Sequence, residues 1–130
     1  MNKKKTILVV EDEKSIRQAM VDLLNIKGFT TLEGKNGEEG LKIALAEHPD
    51  LILLDVLMPD MDGMTMLKKV REDSWGRDVP VIILTNLNPA DEQVIKDIVT
   101  NKPLHYFIKS DWNIHDIIKE INKVLDNPKA

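Results

Sequence analysis

Three short runs in this chain are apolar at every position, and they constrain its fold more than any other feature. They lie at residues 7–10, 51–54 and 81–84. A strand with one face in water alternates apolar and polar residues, whereas a strand covered on both faces does not. The three runs therefore predict strands of a parallel sheet that has helices on both of its sides.

Two weaker strand signals complete the pattern, at residues 30–33 and 105–108. Segments with the apolar spacing of amphipathic helices lie between and after the strands. Five β–α units in strict alternation predict an α/β fold, with a doubly wound five-stranded parallel sheet and five helices.

The predicted helices have recognisable ends. Gly28 follows the apolar stripe of the first helix as a stop signal. The fourth helix begins at Pro89, with Asn88 as its N-cap. The last helix has the clearest apolar stripe of the chain, and either Asn113 or Asp111 caps it.

Length and composition exclude several classes of protein. The chain has 130 residues, and we expect a single domain over 1–130, with an ordered core of about 6–126 and no output domain. The absence of cysteine excludes disulfides, a thiolate nucleophile and cysteine-ligated metals. A net charge of −4 argues against direct nucleic-acid binding. Since no apolar run approaches the roughly 20 residues of a membrane span, we expect a soluble, cytoplasmic protein without membrane contact.

Polar side chains follow four of the five predicted strands. Glu11 and Asp12 follow the first strand, Asp55 the third, Thr85 the fourth and Lys109 the fifth. Because the carboxyl ends of parallel strands meet at one edge of the sheet, where ligands bind in such folds, we expect these side chains to converge.

The converging groups predict phosphoryl-transfer chemistry. Three carboxylates repel one another unless a cation joins them or their pKa values rise, and Mg²⁺ is the cation that oxygen ligands favour. A hydroxyl at Thr85 and an ammonium at Lys109 suit an anion beside the metal, with Asp55 as acceptor of a phosphoryl group. Taken singly, each residue has a simpler interpretation as a helix cap, a turn residue or a solvated charge.

Four segments together resemble a known family, the receiver domain of two-component response regulators, or CheY-like family. The segments are 7–13, 49–63, 79–85 and 106–109, and the resemblance covers roughly residues 6–126. It implies a flavodoxin-like sheet with the strand order 2-1-3-4-5.

The resemblance also implies a role for each acidic residue. Asp55 would be the phosphoacceptor, and a phosphohistidine of a sensor kinase or phosphotransfer protein would be the donor. Asp12 and Asp55 would bind Mg²⁺ directly together with the backbone carbonyl of Leu57, and Glu11 would bind it through water.

Three further residues would couple phosphorylation to a change of surface. By resemblance, Thr85 and Lys109 would contact the phosphoryl group, and Tyr106 would turn inward as the switch aromatic. The resemblance implies a signalling switch rather than an enzyme, although one that catalyses its own phosphorylation and dephosphorylation. Its partners would be the kinase and a downstream protein, and the chain would be a monomer or a weak phosphorylation-dependent dimer.

Departures from the family pattern keep a second function open. Ser110 replaces the proline that normally follows the lysine, so we expect a trans peptide there, and Asn86 stands where a small residue is usual. A pseudo-receiver, which binds or dimerises without phosphorylation, is the alternative. An aspartate-nucleophile phosphatase is disfavoured because Leu57 occupies the position of its second aspartate.

Two leucines suggest a slow loss of the phosphoryl group. Leu57 and Leu87 lie two residues beyond Asp55 and Thr85, beside the expected path of the attacking water. Apolar side chains at these positions would slow hydrolysis of an acyl phosphate.

Overall fold

The computed structural model describes residues 4–55, 63–85, 105–108 and 113–126, and gives only the backbone of residues 85 and 105–108. The strands are β1 (Thr6–Val10), β2 (Thr30–Gly34), β3 (Leu51–Asp55), β4 (Val81–Thr85) and β5 (His105–Ile108). The described helices are α1 (Lys14–Ile26), α2 (Gly37–Glu47), α3 (Gly63–Glu72) and α4 (Ile114–Asp126). All five predicted strands are thus present.

The strands form one sheet in the order β2-β1-β3-β4-β5. Every neighbouring pair is parallel, as in the pairs that join β1 to β2 and to β3. The chain extends the sheet on one side of β1 with β2 and then continues on the other side with β3. The strand order therefore reverses between β1 and β3, where such folds place their ligands.

The sheet separates two apolar cores. Leu8 and Val10 of β1 point into the core that α2 and α3 cover, while Ile7 and Val9 point into the core that α1 and α4 cover. All four side chains are at most 1% exposed. This burial on both faces explains why the central strands lack polar alternation, and it confirms the α/β architecture with helices on both sides of the sheet.

Two helix ends that the sequence predicts are observed in the structure. Gly28 has φ +96°, and the N–H groups of Gly28 and Phe29 donate to the carbonyls of Asn25 and Leu24, which closes α1 as a Schellman motif. At the start of α4, Asn113 is the cap, since its Oδ1 accepts from the N–H of Asp116 over 3.0 Å.

The predicted helix that begins at Pro89 lies outside the described residues, so a fifth helix stays a prediction. Within the described ranges, none of the helices is both long and apolar enough to cross a membrane.

Candidate functional site

Three carboxylates meet at the carboxyl edge of the sheet, at the point where the strand order reverses. Asp55 ends β3, while Glu11 and Asp12 directly follow β1, its parallel neighbour. One carboxylate oxygen from each residue lies within 4.8 Å of those from the other two. The predicted convergence of these three residues is therefore observed, whereas their chemical roles stay predictions.

The three carboxylates differ in their exposure. Glu11 is 2% and Asp55 3% exposed, whereas Asp12 is open to solvent. Ionised carboxylates that are close together and buried need a compensating charge. An exposed carboxylate beside two buried ones leaves a route by which a cation from solvent can reach all three.

One backbone and one side-chain hydrogen bond hold Glu11 in place. The N–H of Glu11 donates to the carbonyl of Gly34 over 3.1 Å, and its Oε2 accepts from the N–H of Glu13 over 3.3 Å. The N-cap residue of α1 is Glu13, whose side chain makes no capping hydrogen bond in the described structure. The turn after β1 is therefore tied to the end of β2.

The close approach of α2 to β1 and β2 supports the same edge of the sheet. A Cβ atom on Gly40 would lie 2.8 Å from Cγ2 of Val10 and 3.1 Å from Sδ of Met66. A Cβ on Gly34 would lie 2.9 Å from Cα of Gly40. Glycine at both positions lets the backbones pack this closely beside Val10, the residue before Glu11.

Arg17 is a residue near this site that the sequence analysis missed. It is 8% exposed, and its Nη1 donates to the carbonyl of Glu11 over 2.7 Å. Its Nε donates to Oε1 of Glu33 on β2 over 3.1 Å. A signal was available, because Arg17 precedes Met20 and Val21 by one helical turn and so lies on the buried face of α1.

The remaining predicted site residues are described only in part or not at all. The backbone of Thr85 ends β4 and pairs with Ile108, and Leu84 pairs with Asp55, so Thr85 ends its strand at the same edge of the sheet. The backbone of Tyr106 lies in β5, opposite Ile83. Leu57 and Lys109 lie outside the described residues, as do Asn86, Leu87 and Ser110.

The donor set of the three carboxylates fits a hard divalent cation. Each carboxylate offers oxygen, the ligand atom that Mg²⁺ and Ca²⁺ prefer, and neither histidine nor cysteine belongs to this group. A group of three carboxylates around a small volume is thus chemically suited to Mg²⁺.

A comparison with protein families and curated sequences finds clear relatives. The family model described as "Response regulator receiver domain" matches residues 7–122. The probable transcriptional regulator ycf27 of Cyanophora paradoxa is 42% identical over 94 residues, which are 72% of this chain and 38% of that protein. Response regulator MprA of Mycolicibacterium vanbaalenii is 33% identical over 88 residues, 68% of this chain and 37% of that protein. The chain spans little more than a third of the length of these curated relatives.

Solved structures have the same fold over nearly the whole chain. The receiver domain of the Francisella response regulator 1452 matches with a TM-score of 0.85 and 28% identity, covering 97% of this chain and 100% of that one. The signal receiver domain of a signal transduction histidine kinase from Syntrophus aciditrophicus matches with a TM-score of 0.87 and 27% identity, covering 96% and 92%.

Proposed function

This chain belongs to the response regulator receiver domain family of two-component signalling, and we propose that Asp55 is its phosphoacceptor. One observation carries the proposal. Asp55 ends β3, and one of its carboxylate oxygens lies within 4.8 Å of a carboxylate oxygen of Glu11 and of Asp12, on the turn after β1. Proteins of this family are signalling switches rather than ordinary enzymes. The donor would be a phosphohistidine of a sensor kinase or a phosphotransfer protein.

The transfer step is a displacement at phosphorus. A carboxylate oxygen of Asp55 forms the new bond to phosphorus as the bond from phosphorus to the histidine nitrogen breaks, and the nitrogen keeps that electron pair. The product is an acyl phosphate on Asp55 and a free histidine on the donor. Such reactions need little covalent assistance from the protein, but they need the reacting groups in line and the charge neutralised.

The residues around Asp55 fit the metal that this step needs. Asp12 and Asp55 would hold Mg²⁺ directly with the backbone carbonyl of Leu57, and Glu11 would hold it through a water molecule. When bound, Mg²⁺ supplies positive charge to the transferring phosphoryl oxygens. The exposure of Asp12 supports a cation at this place, because it gives the cation a route from solvent to the buried Glu11 and Asp55.

Phosphorylation would act on protein contacts through three residues. A phosphoryl group brings a charge of about −1.5 to −2 and new acceptor oxygens. The hydroxyl of Thr85 and the ammonium of Lys109 would move toward it, and Tyr106 would turn inward. The altered surface would then bind a downstream protein, with the chain as a monomer or a weak phosphorylation-dependent dimer, in the cytoplasm.

The test combines intact mass and amide NMR shifts, with Mg²⁺ and either beryllofluoride or a small phosphodonor. We expect the phosphodonor to raise the mass by one phosphoryl group, and either reagent to shift the amides of Thr85 and Tyr106, in the wild type but not in Asp55→Asn. A matched control is Asp50→Asn, because Asp50 lies just before the other end of β3, where its Oδ2 accepts from the N–H of Thr6. This variant should behave as the wild type does.

The pseudo-receiver is the alternative that this experiment separates. Its sequence support is Ser110, where the family has proline, and Asn86 beside Thr85. A wild type that gains no phosphoryl group and shows no Mg²⁺-dependent shifts would reject the proposed switch. Shifts that stop at Asp55 without reaching Tyr106 would reject its signalling step.

A further inference from the structure

Arg17 makes two contacts that connect the turn after β1 to strand β2. Its Nη1 donates to the backbone carbonyl of Glu11, and its Nε donates to the carboxylate of Glu33. Glu11 directly follows β1 and Glu33 lies on β2, and these two strands are hydrogen-bonded neighbours. One side chain of α1 thus joins three elements beside the acidic group.

Arg17 needs these two contacts because its side chain is buried. Arg17 is 8% exposed, and a guanidinium that leaves water is costly unless hydrogen bonds and an opposite charge compensate it. Glu33 provides the charge, and its side chain is 43% exposed and so stays hydrated. The planar fork of arginine can reach both acceptors at once, which the single ammonium of a lysine cannot do in the same geometry.

The backbone of Glu11 is consequently held at both of its polar groups, the N–H and the carbonyl. Gly34 accepts from its N–H over 3.1 Å, and Arg17 donates to its carbonyl over 2.7 Å. Asp12 is the next residue along the chain and belongs to the same turn. Rotation of this turn would move the carboxylates of Glu11 and Asp12 away from Asp55.

We propose that Arg17 is a positioning residue for the acidic group: it holds the turn that presents Glu11 and Asp12 to a divalent cation beside Asp55. The inference rests on the proposed function, since it concerns the Mg²⁺ site of that function. The hydrogen bonds of Arg17 go to Glu11 and Glu33, so it would act on the metal site without binding the metal or the phosphoryl group. It acts through the backbone of Glu11, as groups that orient metal ligands do.

The positive charge of Arg17 and its hold on the turn after β1 have opposite effects on Mg²⁺ binding, which makes the proposal testable. A buried cation near the site repels Mg²⁺, so its removal would tighten binding if charge were the main effect. Loss of the two hydrogen bonds of the guanidinium would loosen the turn after β1 and weaken Mg²⁺ binding. We expect position to outweigh charge, because Glu33 pairs with the guanidinium over 3.1 Å.

The experiment compares Mg²⁺ affinity by titration calorimetry in the wild type, Arg17→Met and Arg17→Lys. Both variants should bind Mg²⁺ about tenfold more weakly, the lower end of the cost of losing a group that orients metal ligands. Arg17→Lys keeps the charge, so it tests position alone. It also keeps the test decisive if Arg17→Met fails to fold.

A matched control is Arg71→Met. Arg71 also donates to two backbone carbonyls, those of Gly76 and Val79, but in the loop that leads into the opposite end of β4. Burial lowers the pKa of Arg71, and the charge of Asp78 partly offsets this. The variant should lose stability and keep wild-type Mg²⁺ affinity. This result separates a general loss of stability from a displacement of Glu11 and Asp12.

A second readout does not depend on the metal. Without Mg²⁺, the amide NMR signals of Glu11, Asp12 and Gly34 should shift in both Arg17 variants and stay in place in Arg71→Met. Unshifted signals would overturn the positioning role, and so would Arg17 variants that bind Mg²⁺ as tightly as the wild type. A wild type that binds no Mg²⁺ would instead reject the proposed function, while the metal-free shifts would still decide whether Arg17 holds the turn.

Discussion

His48 stacks face to face on Trp75, with ring centroids 4.6 Å apart and planes inclined by 8°. His48 ends α2 in the left-handed conformation, at φ 48°. Trp75 lies in the loop after α3 and packs against the core that α2 and α3 cover. The stack therefore ties the ends of two neighbouring helices together, at the edge of the domain away from the acidic group.

The stack should contribute measurably to stability. We expect a coupling free energy of about 1 kcal/mol between His48 and Trp75, as for other stacked ring pairs. Urea unfolding of His48→Ala, Trp75→Ala and the double variant gives this coupling as a double-mutant cycle. His48→Gly should be more stable than His48→Ala, because glycine adopts positive φ without strain. Additive single effects would show that the rings do not interact.

Gly40 should not tolerate even one added methyl group. Its Cβ would lie 2.8 Å from Cγ2 and 3.0 Å from Cγ1 of Val10, a branched and stiff side chain. Gly40→Ala should therefore cost about 1–3 kcal/mol through overpacking, measured by urea unfolding. Gly28→Ala is the control, since its Cβ would meet nothing within 4 Å. Only the strain of φ +96° remains there, so we expect Gly28→Ala to lower the free energy of unfolding by about 1 kcal/mol. A loss at Gly40 no larger than the loss at Gly28 would contradict the close packing.

The N-caps of α1 and α2 should respond differently to truncation. Oδ1 of Asn36 accepts from the N–H of Glu39 over 2.8 Å, whereas Glu13 caps α1 without a side-chain hydrogen bond. Asn36→Ala should therefore lower the free energy of unfolding by about 1 kcal/mol. Glu13→Ala should change it by less than about 0.5 kcal/mol, which reflects the loss of one charge at the helix start. Equal effects in thermal unfolding would refute the assignment of the caps.

Phosphorylated protein should lose its phosphoryl group faster when Leu57 and Leu87, two residues beyond Asp55 and Thr85 in sequence, become polar. We expect the double variant Leu57→Asn, Leu87→Asn to lose it several-fold faster, because amide groups can hydrogen-bond the attacking water. The rate follows from the decay of the phosphorylated mass after the donor is removed. Leu45→Asn is the control, since Leu45 is an exposed leucine on α2. An unchanged rate in the double variant would refute the role of the leucines.

Much of the fold was predictable because its signals are local. A strand buried on both faces needs apolar side chains at every position, which is visible in the runs at 7–10, 51–54 and 81–84. Gly28 and Asn113 act on backbone groups a few residues away, so their capping is also encoded locally. The strand order came from the family resemblance, and the sheet has that order.

The convergence of Glu11, Asp12 and Asp55 was predictable for a different reason. Parallel strands deliver the residues after them to one edge, so the topology brings these carboxylates together once the strands are known. Local patterns by themselves left helix capping open as an interpretation of Glu11 and Asp12. The structure shows the three carboxylates within reach of one cation.

Within the described residues, the sequence by itself determined which segments are strands and helices, where several of them end, and which acidic residues share an edge. Only the tertiary structure decided that Arg17 joins Glu11 to Glu33 and that His48 stacks on Trp75. In sequence, Trp75 lies in a polar loop, where it suits either a partner contact or a cover for the edge of the core. The physical reason is that periodicity and capping act over a few residues, whereas a buried ion pair or a ring stack depends on how distant segments pack in space.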